Sequence, residues 1–221
     1  MNQVGKNRKW TSLSLVAIAL LLVSGSADAG LFGLFGSKKK PKPLPTESLI
    51  VFPFDQEEGG ARIPEEFGVD IASTLRSMLS GDAKYATYLY NQRLSPIRRA
   101  KEDSTLKTQD ITPPFAEERE KAIRLADILA GDFLLVGSID DYQVDTAKRQ
   151  AQLTLTAELI RMVGREKGKL VKTFTVTGSV PESAKAIEED ELRALAAGDA
   201  VSKLKEEIAK TGEDKPEEVA E

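Results

Sequence analysis

Residues Ala151 to Leu159 alternate without a break: Ala151, Leu153, Leu155, Ala157 and Leu159 are apolar, and Gln152, Thr154, Thr156 and Glu158 are polar. Strand geometry sends successive side chains to opposite faces, so this stretch demands a sheet packed on one side and wet on the other. Strands have to flank it. Phe133 to Val144 reads as one, apolar on both sides at its start and polar towards its end. Leu170 to Gly178 reads as another, reached through a glycine-flanked turn from Gly164 to Gly168, with Leu170, Phe174 and Val176 inward. The three runs form an antiparallel meander.

Upstream, the periodicity changes back and forth. Leu49 to Phe54 is an apolar, β-branched run that reads as a buried strand ending at Pro53. Asp55 to Gly60 follows as a polar turn. Phe67, Ile71, Leu75 and Met78 then share one helical stripe that ends near Gly81, and Tyr85 to Tyr90 reads as the return strand of a βαβ unit. Ser95 and Pro96 open a short helix containing Ile97 and Ala100, with Ser95 as its N-cap. Thr112-Pro113-Pro114 opens a longer one with Phe115, Ala122, Ile123, Ala126 and Leu129 on one face. A last helix, Glu189 to Lys210, carries Leu192, Leu195, Val201, Leu204 and Ile208 and is placed to cover the open face of the meander. The fold expected is α/β: a mixed sheet in which a βαβ unit is followed by helices, a three-strand antiparallel meander and a C-terminal covering helix.

The N-terminus reads as an export signal. Lys6, Arg8 and Lys9 precede an apolar run from Leu13 to Val23, and Ala27-Asp28-Ala29 offers a small-x-small cleavage site. The run is well short of the ~20 residues that span a bilayer. Cleavage after Ala29 leaves residues 30–221, and losing three bases and one acid takes the formal charge from −4 to about −6. An acidic exported chain gains no counterion release from phosphate, which argues against nucleic acid. The chain has neither cysteine nor histidine. Thiol catalysis, Cys/His zinc sites, Ser-His-Asp triads and disulfides are therefore excluded. Gly30 stands where a lipoprotein needs its cysteine, so the expected product is periplasmic, or extracellular, and not lipidated.

The organisation expected is a signal peptide (1–29), an apolar and basic linker (30–46), a single globular domain (47–211) and a disordered acidic tail (212–221). The linker joins Gly30-Leu31-Phe32-Gly33-Leu34-Phe35-Gly36 to Lys38, Lys39, Lys40 and Lys42. Two readings compete for it. In one, Leu31, Phe32, Leu34 and Phe35 make weak contact with a membrane surface while the lysines meet anionic headgroups. In the other it is a flexible spacer. The tail holds five carboxylates and one lysine among few apolar groups, too little to bury.

A resemblance arises from the run Ala126-Asp127-Ile128-Leu129-Ala130-Gly131-Asp132-Phe133-Leu134-Leu135-Val136-Gly137-Ser138-Ile139, followed by an alternating hairpin and a glycine-flanked turn. It is similar to the "ADxLxADYLLxGSI" region of exported bacterial domains related to the TolB amino-terminal domain. That superfamily includes the curli-secretion protein CsgG and the LpoB lipoprotein that activates penicillin-binding proteins. The order of the strand 49–54, the helix 67–79 and the segment Leu94 to Ala100 fits as well, so the resemblance covers about Leu49 to Lys210. It implies an envelope assembly or scaffolding module that works through protein contacts, with no catalytic centre to carry over. The missing lipidated cysteine separates this chain from the lipoprotein members.

The candidate sites are few. Tyr88 and Tyr90 lie beside Arg93, Arg98 and Arg99, with Tyr85 and Lys101 completing the densest basic and aromatic cluster. As tyrosine and arginine are enriched in interface hot spots, this is the candidate partner-binding patch; the plainer reading is a solvated helix beside core tyrosines. Asp55, Glu57 and Glu58 follow the first strand, where open α/β sheets bind ligands, and their carboxylates offer a hard cation oxygen ligands or belong to a solvated turn. Asp140 and Asp141, adjacent on a strand, are expected on opposite faces and so are not an acid/base pair. The threonines 154, 156, 173, 175 and 177 either form the wet face of the sheet, the plainer reading, or offer a face for a second subunit or a client strand. No cofactor is expected. The function expected is a non-enzymatic, exported envelope module acting on unidentified protein partners, with self-association as one form of partnership. The alternative is a periplasmic protein binding a small ligand or metal, or hydrolytic, through Asp55, Glu57 and Glu58.

Overall fold

A computed structural model describes residues 47–56, 63–64, 66–81, 84–164, 167–185 and 188–211. The chain divides into Met1–Lys40 and Pro41–Glu221, and every described residue belongs to the second unit. The signal, the linker, Glu57, Glu58 and the acidic tail lie outside the described residues.

The elements run β1 (Glu47–Val51), β2 (Asp55–Gln56), α1 (Phe67–Leu79), β3 (Tyr85–Leu89), α2 (Ser95–Glu102), a 3-10 turn (Thr108–Ile111), α3 (Arg119–Ile128), β4 (Phe133–Asp145), β5 (Gln150–Arg161), β6 (Lys169–Ser179) and α4 (Glu189–Lys210). They build one mixed sheet in the order β3-β1-β4-β5-β6, with β2 pairing β4. Strand β1 is parallel to both β3 and β4, with Ile50 opposite Tyr88 and Leu134, and β4, β5 and β6 form the antiparallel meander. Gly164 and Gly168 turn β5 into β6 at φ values of +71° and +80°, a region that side chains with a Cβ rarely adopt.

Two cores sandwich the sheet. On one face α1 and α4 pack over Leu49, Val51, Leu135, Leu153, Leu155, Ala157 and Leu159. The alternation read in β5 is the cause, since its apolar phase is buried throughout while Gln152 stays exposed. On the other face α2, the 3-10 turn and α3 enclose Ile50, Phe52, Leu134, Val136 and Ile160. Those helices stop over β4. The outer face of β5 and β6 is left with its threonines, bonded in cross-strand pairs, Thr154 to Thr177 and Thr156 to Thr175, each at 3.1 Å.

Several boundaries differ from the sequence reading. Leu170 is 38 % exposed rather than inward, because the β5–β6 register slips between Leu159 and Ile160 and breaks the alternation. Leu195 is 37 % exposed as well. The α4 stripe runs through Leu192, Ala196, Ala197, Ala200, Val201, Leu204 and Ile208, since alanines let the helix sit close on β6. Ser95 is the first residue of α2, Leu94 is its N-cap, and no side chain caps it. Helix α3 starts at Arg119, four residues after Phe115, which is fully buried ahead of the helix, and its buried stripe includes Leu125.

Candidate functional site

The basic and aromatic cluster splits in the structure. Outer-face positions of β3 carry Tyr88, and the chain leaving that strand carries Tyr90. Tyr90 is 3 % exposed, stacks on Phe52 at a centroid distance of 4.6 Å and donates its hydroxyl to the Ile111 carbonyl at 2.9 Å. Burial pushes its ionisation above the ordinary tyrosine range. Tyr90 is a core residue and takes no part in a surface patch. Tyr85 is buried too, edge-on to Phe133. Tyr88, by contrast, is 56 % exposed, although its partner in the parallel register is the buried Ile50.

Tyr88 forms one wall of a groove of about 560 Å³. Ile50 and Leu89 come from the sheet, Leu94 and Pro96 from the start of α2, and Leu129 from the end of α3; Arg76 of α1 reaches the same groove round the sheet edge. Helix α2 is held there by Ile97, which is fully buried in the outer core, while Arg93, Arg98 and Arg99 stay exposed. Arg98 lies 4.0 Å from Glu102, a solvent-exposed pair of little strength. Arg99 is exposed on α2, one turn after Pro96. The groove borders β3, an edge strand of the sheet. An apolar floor, an exposed tyrosine, the Arg76 guanidinium and an edge strand are the parts a docking site for an extended chain requires. Ile50, Arg76, Leu94 and Leu129 were not legible as site residues, because they come from four separate segments.

The other sheet edge is different. Lys203 donates to the Thr177 carbonyl at 2.8 Å, and Asp199 accepts the Ser179 N–H at 2.9 Å. Two backbone groups of β6 that a client strand would need are already bonded to α4.

The acidic loop also departs from expectation. Asp55 is 6 % exposed, within a short strand rather than a solvated turn, and its Oδ2 accepts the N–H groups of Phe115 and Ala116. Burial raises its pKa above the ordinary carboxylate value, opposed by those two donors. Asp140 and Asp141 do not point to opposite faces. A β-bulge inserts Asp140 between Ile139 and Asp141, so Asp140 bonds Ser138 and Thr156 while Asp141 bonds Gln143, all on the outer face. Among the described residues no group of three or more acidic, Cys or His side chains is placed to hold a metal ion. No helix among them is long and apolar enough to cross a membrane. Leu31, Phe32, Leu34 and Phe35 lie outside the described residues.

No family model matches the chain, and no curated protein matches it. Among solved structures it is similar to a PelC dodecamer from Paraburkholderia phytofirmans, 14 % identical over 75 % of this chain and 90 % of that one, with a TM-score of 0.47. It is also similar to the LpoB C-terminal domain from Salmonella enterica (19 % identical, 63 % and 85 % covered, TM-score 0.42). A third likeness is to lipoprotein GNA1162 from Neisseria meningitidis (15 % identical, 74 % and 99 % covered, TM-score 0.44).

Proposed function

We propose that this chain is an exported, non-catalytic envelope module that holds a protein partner in the groove beside β3. The observation that carries the reading is Tyr88, a large ring left 56 % exposed against an apolar groove at a sheet edge. A solvent-facing strand position does not need a tyrosine, whereas a docking surface does. Arg76, Arg93 and Arg99 give the surroundings a positive field, so the partner offered is an extended segment with apolar side chains and carboxylates. The signal-like N-terminus and the absence of cysteine support a periplasmic, non-lipidated location.

The test is a native pull-down from envelope extract with the wild-type protein, Tyr88→Ala and Arg99→Glu. A reproducible partner captured by wild type and lost from both variants supports the groove. Equal capture by all three would remove it.

A further inference from the structure

The meander turns twice, at opposite ends of β5, and the two turns differ in chemistry. The β4–β5 turn is polar, with Asp145 and Lys148 paired at 3.0 Å. The β5–β6 turn is not. Six large apolar side chains are exposed among the described residues, and three of them, Val163, Leu170 and Val171, stand on this turn and on the start of β6. The Gly168 N–H bonds the Arg161 carbonyl at 2.7 Å and closes the loop that holds Val163, while Leu170 is in register with Ile160. Unbroken alternation with Phe174 and Val176 would have sent Leu170 inward. The register slip leaves Val171 without a partner residue and turns Leu170 to solvent, and a bulge that re-aims a side chain is a feature a fold keeps rather than a defect.

The charge of the same stretch narrows what it can meet. From Arg161 to Lys172 the sequence holds five bases and one acid, a local +4 in a chain whose formal charge is −4. Lys167 lies 2.6 Å from Asp127 and Lys172 lies 3.7 Å from Glu207, exposed pairs weak enough to exchange for another anion. Aliphatic side chains set among bases match an anionic bilayer, where the apolar tips enter the acyl boundary and the ammonium groups meet phosphates. A protein partner suits the turn less. Leucine and valine are under-represented among interface hot spots, and the turn offers no aromatic anchor and no residue to the groove beside β3.

We propose that the β5–β6 turn docks on an anionic lipid surface, with Val163, Leu170 and Val171 entering the boundary between headgroups and acyl chains and Lys167, Lys169 and Lys172 meeting lipid phosphates. Three partly exposed aliphatics and a few bases give reversible, salt-sensitive contact and not a permanent anchor.

The test uses tryptophan as a reporter in the full chain, with Trp10→Phe so that the reporter is the sole indole whatever the processing. Val163→Trp places it in the turn, and Leu195→Trp, exposed on α4, is the control. With phosphatidylglycerol vesicles the indole at 163 should shift to shorter wavelength and be quenched by brominated acyl chains, while the indole at 195 does neither. The response should fall in phosphatidylcholine vesicles and in about 0.5 M salt. Lys167→Gln with Lys169→Gln should lower partition onto phosphatidylglycerol by about tenfold or more, at about fivefold per base. These side chains are exposed, so the fold is expected to survive each change, and circular dichroism checks it. No response at 163, an equal response at 195, an equal response to phosphatidylcholine, or partition unchanged by the two lysine substitutions would overturn the proposal. A response at 163 to added envelope proteins but not to vesicles would overturn it too, and would assign the turn to a protein.

Discussion

Gly178 on β6 lies so close to Ala200 on α4 that a Cβ added to the glycine would stand 2.4 Å from the Ala200 backbone nitrogen and 2.1 Å from the Ala196 carbonyl oxygen. Backbone cannot give way as the end of a side chain can. Gly178→Ala should therefore cost about 3 kcal/mol, by lifting α4 off the sheet. Gly198, on the same helix with nothing within 4 Å, is the matched control: Gly198→Ala should gain up to about 1 kcal/mol from helix propensity. Urea unfolding of the two variants measures both signs.

Leu155 is fully buried under α4, and its neighbour Thr154 is on the outer face, bonded to Thr177. Leu155→Asp buries an unpaired carboxylate and should cost several kcal/mol, enough to unfold a domain of ordinary stability. Thr154→Asp should cost about 1 kcal/mol or less. Equal losses of Tm would contradict the facing of β5.

Asp55 and Asp199 should respond to pH with opposite signs. Because the folded pKa of Asp55 is raised, chiefly by burial, its contribution is fully present below the unfolded value near 3.9 and is lost as pH rises through the folded value. Burial pushes Asp199 up as well, but its bonds to Lys203 and to the Ser179 N–H outweigh that and lower its pKa, so its contribution is present above the unfolded value and lost as pH falls. Relative to Asp55→Asn, the wild-type protein should lose stability as pH rises from the acid side of the carboxylate range. Relative to Asp199→Asn it should gain. Urea midpoints measured from about pH 3 to about pH 7 check both.

Trp10 is the only tryptophan and stands within the proposed export signal. The envelope-purified protein should then lack indole fluorescence altogether. A retained tryptophan signal would contradict cleavage after Ala29.

The sheet was legible because its signal is local. An uninterrupted alternation in β5 and glycines at 164 and 168 define a strand and its turn without reference to the rest of the chain. The α4 stripe was partly misread at Leu195 because a leucine weighs more than an alanine in any hydrophobic pattern, whereas the close approach to Gly178 selects alanine. Asp140 and Asp141 were assigned by strict alternation, which one bulge residue cancels. The site was less legible, for a different reason. Nothing in a local pattern distinguishes Tyr88 from Tyr90, two residues apart on the same side, since one is covered by Phe115 and Phe52 and the other is left at the open end of α2. Asp55 looked like a loop acid because its partners, Phe115 and Ala116, are some sixty positions downstream.

The central claim is that the β3 groove, and not the threonine face, meets the partner. Site-specific photo-cross-linking in living cells tests it most directly, with the cross-linking residue placed at Tyr88 in one strain and at Thr175 in another. Both side chains are exposed, so each substitution should leave the fold intact. The account predicts a discrete cross-linked species from position 88 that is lost when Arg99→Glu is added, and none from position 175. A species formed at 175 and absent at 88 would contradict it.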